Sequence, residues 1–88
     1  MNDQATKMKI LVLGASGMLG NAALRVFAES DGFEVFGTVR SDRALRLLPP
    51  SVQQCLISGV DVENADSLLA VFGQVKPDVV INCIGLVK

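Results

Sequence analysis

Three glycines at a fixed spacing, Gly14, Gly17 and Gly20, constrain this chain more than any other feature. An apolar run, Ile10 to Leu13, stops at the first of them. A helical pattern begins inside the spacing: Leu19, Ala22, Ala23, Val26 and Phe27 fall at i, i+3, i+4, i+7 and i+8, with Asn21, Arg25 and Glu29 on the opposite face. The stretch therefore reads strand, glycine-rich turn, helix. A helix N-terminus carries free backbone N–H groups and a partial positive charge, so it attracts a phosphate. Gly14 lets the chain leave the strand sharply, Gly17 presents no Cβ to an approaching pyrophosphate, and Gly20 lets helix and strand lie close. The spacing is G-x-x-G-x-x-G rather than the commoner G-x-G-x-x-G. A tight strand-to-helix turn that binds nothing is the competing reading.

The 88 residues suffice for one small domain, and half of them are hydrophobic, which argues for a packed core rather than disorder. A net charge of −1 gives no bulk attraction to nucleic acid or to an acidic membrane. No apolar run approaches the length of a membrane span. Residues 1–7 are polar, lack a signal-like apolar segment and are expected to be a disordered tail. Cys55 and Cys83 show neither metal nor redox spacing, so no metal site is expected and a reducing cytoplasm fits best.

Taken in order, residues 8–13 form a first strand whose continuous apolar character suits a sheet covered on both faces. A helix is expected over 18–30, stopped by Gly32, then a strand over 33–39. Ser41 or Asp42 is positioned to cap a short helix through Leu48, which Pro49-Pro50 ends. A weaker third strand covers 52–57. Asn64 or Asp66 caps a helix carrying Ala65, Leu68, Leu69, Phe72 and Val75 at helical spacing, and a fourth strand covers 79–84.

Strands alternating with helices imply right-handed crossovers and a parallel α/β sheet of Rossmann type, in the order 3-2-1-4 with helices on both faces. The switch point lies between strands one and four, and a ligand is expected at the carboxyl ends there. Strand four is strongly apolar yet lies at an edge, and bare apolar edges invite pairing. It is expected to be covered by a further strand of a longer protein, of which residues 8–88 are the N-terminal part. Closure of that edge by self-association is the alternative.

Gly14-Ala15-Ser16-Gly17-Met18-Leu19-Gly20, Asp61-Val62 and Pro77-Asp78-Val79-Val80-Ile81-Asn82-Cys83-Ile84-Gly85 occur together. In this combination the chain resembles the start of an extended short-chain dehydrogenase/reductase, most of all the sugar-nucleotide reductases of the dTDP-4-dehydrorhamnose type. The resemblance implies that Gly14, Gly17 and Gly20 form a pyrophosphate loop with the N–H groups of Met18 and Leu19 as donors. It implies that Asp61 and Val62 meet the adenine, and that Cys83, Ile84 and Gly85 pass along the adenosine ribose. Leu13 departs from the Thr that many members carry, and Cys83-Ile84 from their small Ala residues.

Arg40 stands twenty residues beyond Gly20, at the end of the second strand. An acid there suits the ribose hydroxyls of NAD, whereas an Arg suits the 2′-phosphate of NADP. Arg43 and the Ser16 hydroxyl are candidates to assist. The expected cofactor is therefore NADP(H), with NAD(H) as the alternative. Solvated turn charges are the competing reading for both arginines, as is helix capping for Asp61 and simple apolar packing for the two cysteines. In the family that the chain resembles, a Tyr with a Lys four residues on, plus a Ser or Thr, protonates the nascent alkoxide. These residues contain no Tyr and no His, so no catalytic residue is assigned. The chain alone is expected to bind cofactor without turnover, and a nucleotide-sugar substrate only within a longer protein. An NAD-dependent epimerase or dehydratase and a non-catalytic NADP-binding sensor are the other functions compatible with the sequence.

Overall fold

The computed structural model describes residues 7–15 and 17–84. The expectation for a tail over 1–7 therefore falls almost wholly outside the described residues, as do the readings of Ser16 and Gly85. The elements run β1 (Met8–Leu13), α1 (Met18–Ala28), β2 (Phe33–Thr38), α2 (Asp42–Arg46), α3 (Pro50–Gln53), β3 (Leu56–Ile57), α4 (Ala65–Val75) and β4 (Val79–Asn82). The strands form one parallel sheet in the order β3-β2-β1-β4, as the alternation of elements predicts.

The central strand β1 divides the core. Ile10 lies between Val35 and Val79, and Leu11 between Phe36 and Val80. Successive residues of a strand point to opposite faces. Ile10 and Val12 accordingly join Ala15, Leu24, Val35, Val39, Leu48 and Val52 in a core beneath α1, α2 and α3. Leu11 and Leu13 join Val60, Val71 and Val75 in a second core beneath α4. The crossover from β3 through α4 to β4 thus covers the face opposite to α1. The β4 register is fixed at its start by Asp78, whose N–H donates to the Lys9 carbonyl and whose Oδ2 accepts from the Lys9 N–H, both at 2.8 Å. β4 is the edge strand expected, with Val79 and Val80 exposed, though its pairing ends at Asn82 rather than at residue 84.

Four local expectations need correction. First, α1 buries a stripe shifted from the expected one: Ala23 and Phe27 do pack against the core, half-buried, beside the buried Gly20 and Leu24, while Leu19 is 68% and Val26 61% exposed. Both sides of this helix carry apolar residues, so periodicity alone does not choose between them; the close approach at Gly20 does. Second, α1 ends at Ala28, where Ser30 Oγ donates to the Val26 carbonyl and the Ser30 N–H to that of Phe27, so Gly32 is not its stop. Third, residues 50–53 are helical, and only Leu56–Ile57 of the expected third strand pairs. Pro50 is the cause: at the first position of a helix a proline has no N–H to waste and a suitable φ, so the diproline starts α3 as well as closing the preceding turn. Fourth, β2 ends at Thr38 and α2 at Arg46, one and two residues short of the ranges the sequence predicts.

The caps are as the sequence suggests. Ser41 Oγ accepts from the Ala44 N–H at the start of α2, and Asn64 Oδ1 from the Ser67 N–H at the start of α4. The α4 stripe turns inward on Val71 and Val75, with Leu68 and Phe72 half-buried and Leu69 left in solvent.

The burial pattern of α1 makes a direct prediction. Leu24→Ala should cost about 2–5 kcal/mol of stability by urea unfolding, and Leu19→Ala less than about 0.5 kcal/mol. Equal losses would place the wrong face of the helix inward.

Candidate functional site

The candidate site is a cleft of about 270 Å³ at the carboxyl ends of the strands. Its floor is apolar: Val39, Val60, Val62 and Ile84. One wall is the backbone of Gly14 and Gly17, with Thr38 beside it; the rim carries Arg40, Asp61 and Glu63.

Gly14 shapes the glycine wall. Its φ of +79° is a left-handed conformation that side chains resist. The Gly17 N–H donates to its carbonyl at 3.2 Å. A Cβ built on Gly20 would stand 2.1 Å from that same carbonyl oxygen, so Gly20 is where α1 touches the turn. Gly20 therefore serves packing rather than lining the cleft. Gly17 is open: a Cβ there would find only the Gly14 oxygen, at 3.6 Å. Gly17 is also the N-cap of α1 and brings no side chain to the N–H groups of its first turn. No acceptor among the described residues meets the N–H groups of Met18 and Leu19, and the first turn holds no acidic side chain to neutralise them. An anion at this helix end would be held by those groups and by the helix dipole.

Arg40 and Asp61 face each other across the rim, Nη2 to Oδ1 at 3.7 Å, with side chains 74% and 46% exposed. A pair this open contributes about 0–1 kcal/mol, so it does not immobilise Arg40. Asp61 is placed by its own backbone: its N–H donates to Ser67 Oγ at 2.9 Å, and its Oδ1 accepts from the Glu63 N–H at 3.0 Å. It does not cap α4, since Asn64 does that.

The structure thus gathers Gly14, Gly17, Arg40, Asp61, Val62 and Ile84 around one cleft, with Met18 and Leu19 at the helix end beside it. It does not bring Arg43 there; that side chain is exposed on α2, outside the lining. Cys83 packs against the α1-side core, and its carbonyl and the Ile84 side chain press on Gly14 from the β4 side, 3.3 and 3.1 Å from where a Cβ would stand. Cys55 lies apart, in a hollow with Glu34 near the other end of β2. Burial and the Glu34 carboxylate push its thiol up from the usual range, which disfavours a nucleophilic thiolate.

Thr38, Val39, Val60 and Glu63 escaped the sequence reading. Thr38 is the hydroxyl residue between Gly37 and Val39 just ahead of Arg40, at the carboxyl end of β2. It is the buried polar side chain among the described residues, and its Oγ1 accepts from the Gly14 N–H at 3.2 Å.

The sequence profile of the NAD dependent epimerase/dehydratase family matches residues 10–88. The chain belongs to that family, whose members use NAD(P) dinucleotides, and the sheet is that of its Rossmann-like nucleotide-binding domain. No curated protein matches the sequence. Among the described residues no helix is long and apolar enough to cross a membrane.

The contrast between two glycines can be tested without any ligand. Gly20→Ala should destabilise the fold by about 1–3 kcal/mol, because the Gly14 backbone cannot yield to the new methyl group. Gly17→Ala should stay within about 0.5 kcal/mol of the parent. Denaturant midpoints check both.

Proposed function

We propose, from the premise of that family membership, that the cleft takes the adenosine and pyrophosphate of NADP(H), in a protein that reduces a keto-sugar nucleotide. The observation that carries the cofactor choice is Arg40. Among the described residues it is the one cation lining the cleft, and it sits at the end of β2, where a 2′-phosphate would be met.

The other residues have roles to match. The N–H groups of Met18 and Leu19 hold the pyrophosphate at the start of α1, and Gly17 lets it approach. Asp61 accepts from the adenine amino group, and Val62 gives the ring an apolar contact. Ile84 and the Cys83 backbone flank the adenosine ribose. Asp61 has a second oxygen to offer, because only Oδ1 is engaged by the Glu63 N–H and by Arg40. The nicotinamide supplies the hydride chemistry when the dinucleotide is bound. The proton donor for carbonyl reduction is not among these residues, which include no Tyr and no His. Reduction of a sugar of the dTDP-4-dehydrorhamnose type is therefore proposed for a longer protein, with this chain as its cofactor-binding part.

A second reading has its own support. Asp61 and Glu63 stand on the same rim as Arg40, and two carboxylates oppose a dianionic phosphate. That favours NAD and an epimerase or dehydratase. A cofactor-binding sensor without catalysis would share the same cleft.

Arg40→Ala separates the cofactor readings. A charge-assisted contact to phosphate is worth about 1.5–3 kcal/mol, so NADPH affinity should fall about ten- to a hundredfold by titration calorimetry. NADH affinity should change less than about threefold. Unchanged NADPH affinity in a protein that still binds it would overturn the 2′-phosphate role of Arg40.

A further inference from the structure

We propose that Thr38 is the positioning residue of the phosphate loop, acting through Gly14. The inference rests on the reading of the cleft as a dinucleotide site, and it concerns how the loop is held ready for phosphate.

Thr38 is 1% exposed, and a hydroxyl buried so completely is unfavourable unless it is bonded. Its hydroxyl oxygen accepts from the Gly14 N–H at 3.2 Å. The Thr38 carbonyl accepts from the next amide, that of Ala15, at 2.9 Å. Two successive N–H groups of the turn are thus tied to one residue of β2. The neighbouring residue completes the seat: a Cβ on Gly37 would lie 2.9 Å from the Ala15 Cβ, so glycine there makes room for the fully buried Ala15.

The hydroxyl is needed because of where β1 ends. Parallel pairing of β1 with β2 stops at Val12 and Gly37. Gly14 then turns to positive φ, and its N–H points at a side chain rather than at another strand's backbone. The Gly14 carbonyl in turn accepts from Gly17 and abuts Gly20. A shift of Gly14 would therefore be passed to the start of α1, where Met18 and Leu19 present their N–H groups. Valine has nearly the shape of threonine but no acceptor. With Val at this position the half-buried Gly14 amide would lose that partner, and the turn would have to move to hydrate it fully.

The test compares Thr38→Val with Thr38→Ser in the full chain, with ADP and adenosine as probes. Loss of the hydroxyl should weaken ADP about tenfold, the effect of one misplaced, half-buried amide. Adenosine, which has no phosphate, should bind within about twofold of the parent. Thr38→Ser, which loses a buried methyl group but keeps the hydroxyl, should restore ADP affinity even at lower thermal stability. ADP binding unchanged in Thr38→Val would overturn the proposal. So would equal loss of ADP and adenosine that Thr38→Ser does not rescue, since that pattern is structural damage alone. Amide exchange of Gly14, followed by NMR without ligand, separates this proposal from its parent. If the parent chain binds neither ADP nor dinucleotide, the cofactor reading falls. In that case protection of Gly14 in Thr38→Ser but not in Thr38→Val still supports the clamp, and protection in both overturns it.

Discussion

The carbonyl of Gly14 is where the sheet, the first helix and the cleft meet. Its oxygen lies against Gly20 so closely that no side chain fits between them, and the same oxygen takes the Gly17 N–H. On the amide side Thr38 holds the residue from β2, and on the β4 side the Cys83 backbone and the Ile84 side chain crowd it. Packing this tight resists displacement, because a close-packed interior transmits a shift rather than absorbing it. The axis of α1 follows from that contact. Once Gly20 must face the turn, Leu24 one turn later must face the core, and Leu19 and Val26 are left outside.

The cleft is a consequence of how the chain winds on either side of this point. α1, α2 and α3 bury the even-numbered residues of β1 from Ile10 on, and α4 buries the odd ones. The connections leaving β1 and β3 therefore part to opposite faces, and a gap opens between them at the carboxyl ends of the strands. Its floor is continuous with the α4-side core through Val60, Val62 and Ile84. The polar groups sit on the rim and at the helix start. An apolar floor with a few convergent donors and charges is the general form of a small-molecule site.

Much of this was legible in the sequence because local and global signals agreed. The apolar run of β1, the caps Ser41 and Asn64, and the alternation of strands and helices are decided by nearby residues, and the 3-2-1-4 order follows from the winding. The errors arose where the deciding contact lies outside an element's own periodic pattern. The inward face of α1 is chosen by the turn rather than by its own pattern. β3 shrank to two residues because Pro49-Pro50 and the buried Val52 favour a helical turn before it. Thr38 was missed because its importance lies in a hydrogen bond across 24 residues of sequence. A lone threonine in a strand carries no periodicity to announce it.

The central claim is that a dinucleotide enters the cleft with its pyrophosphate at the start of α1. The most direct measurement is an NMR titration of the labelled protein with NADP⁺, followed at every backbone amide. The account predicts that the largest shifts fall at Gly17, Met18 and Leu19, with a second group at Arg40, Asp61 and Val62. Shifts that avoid Gly17 to Leu19, or that gather instead in the hollow around Glu34 and Cys55, would contradict it.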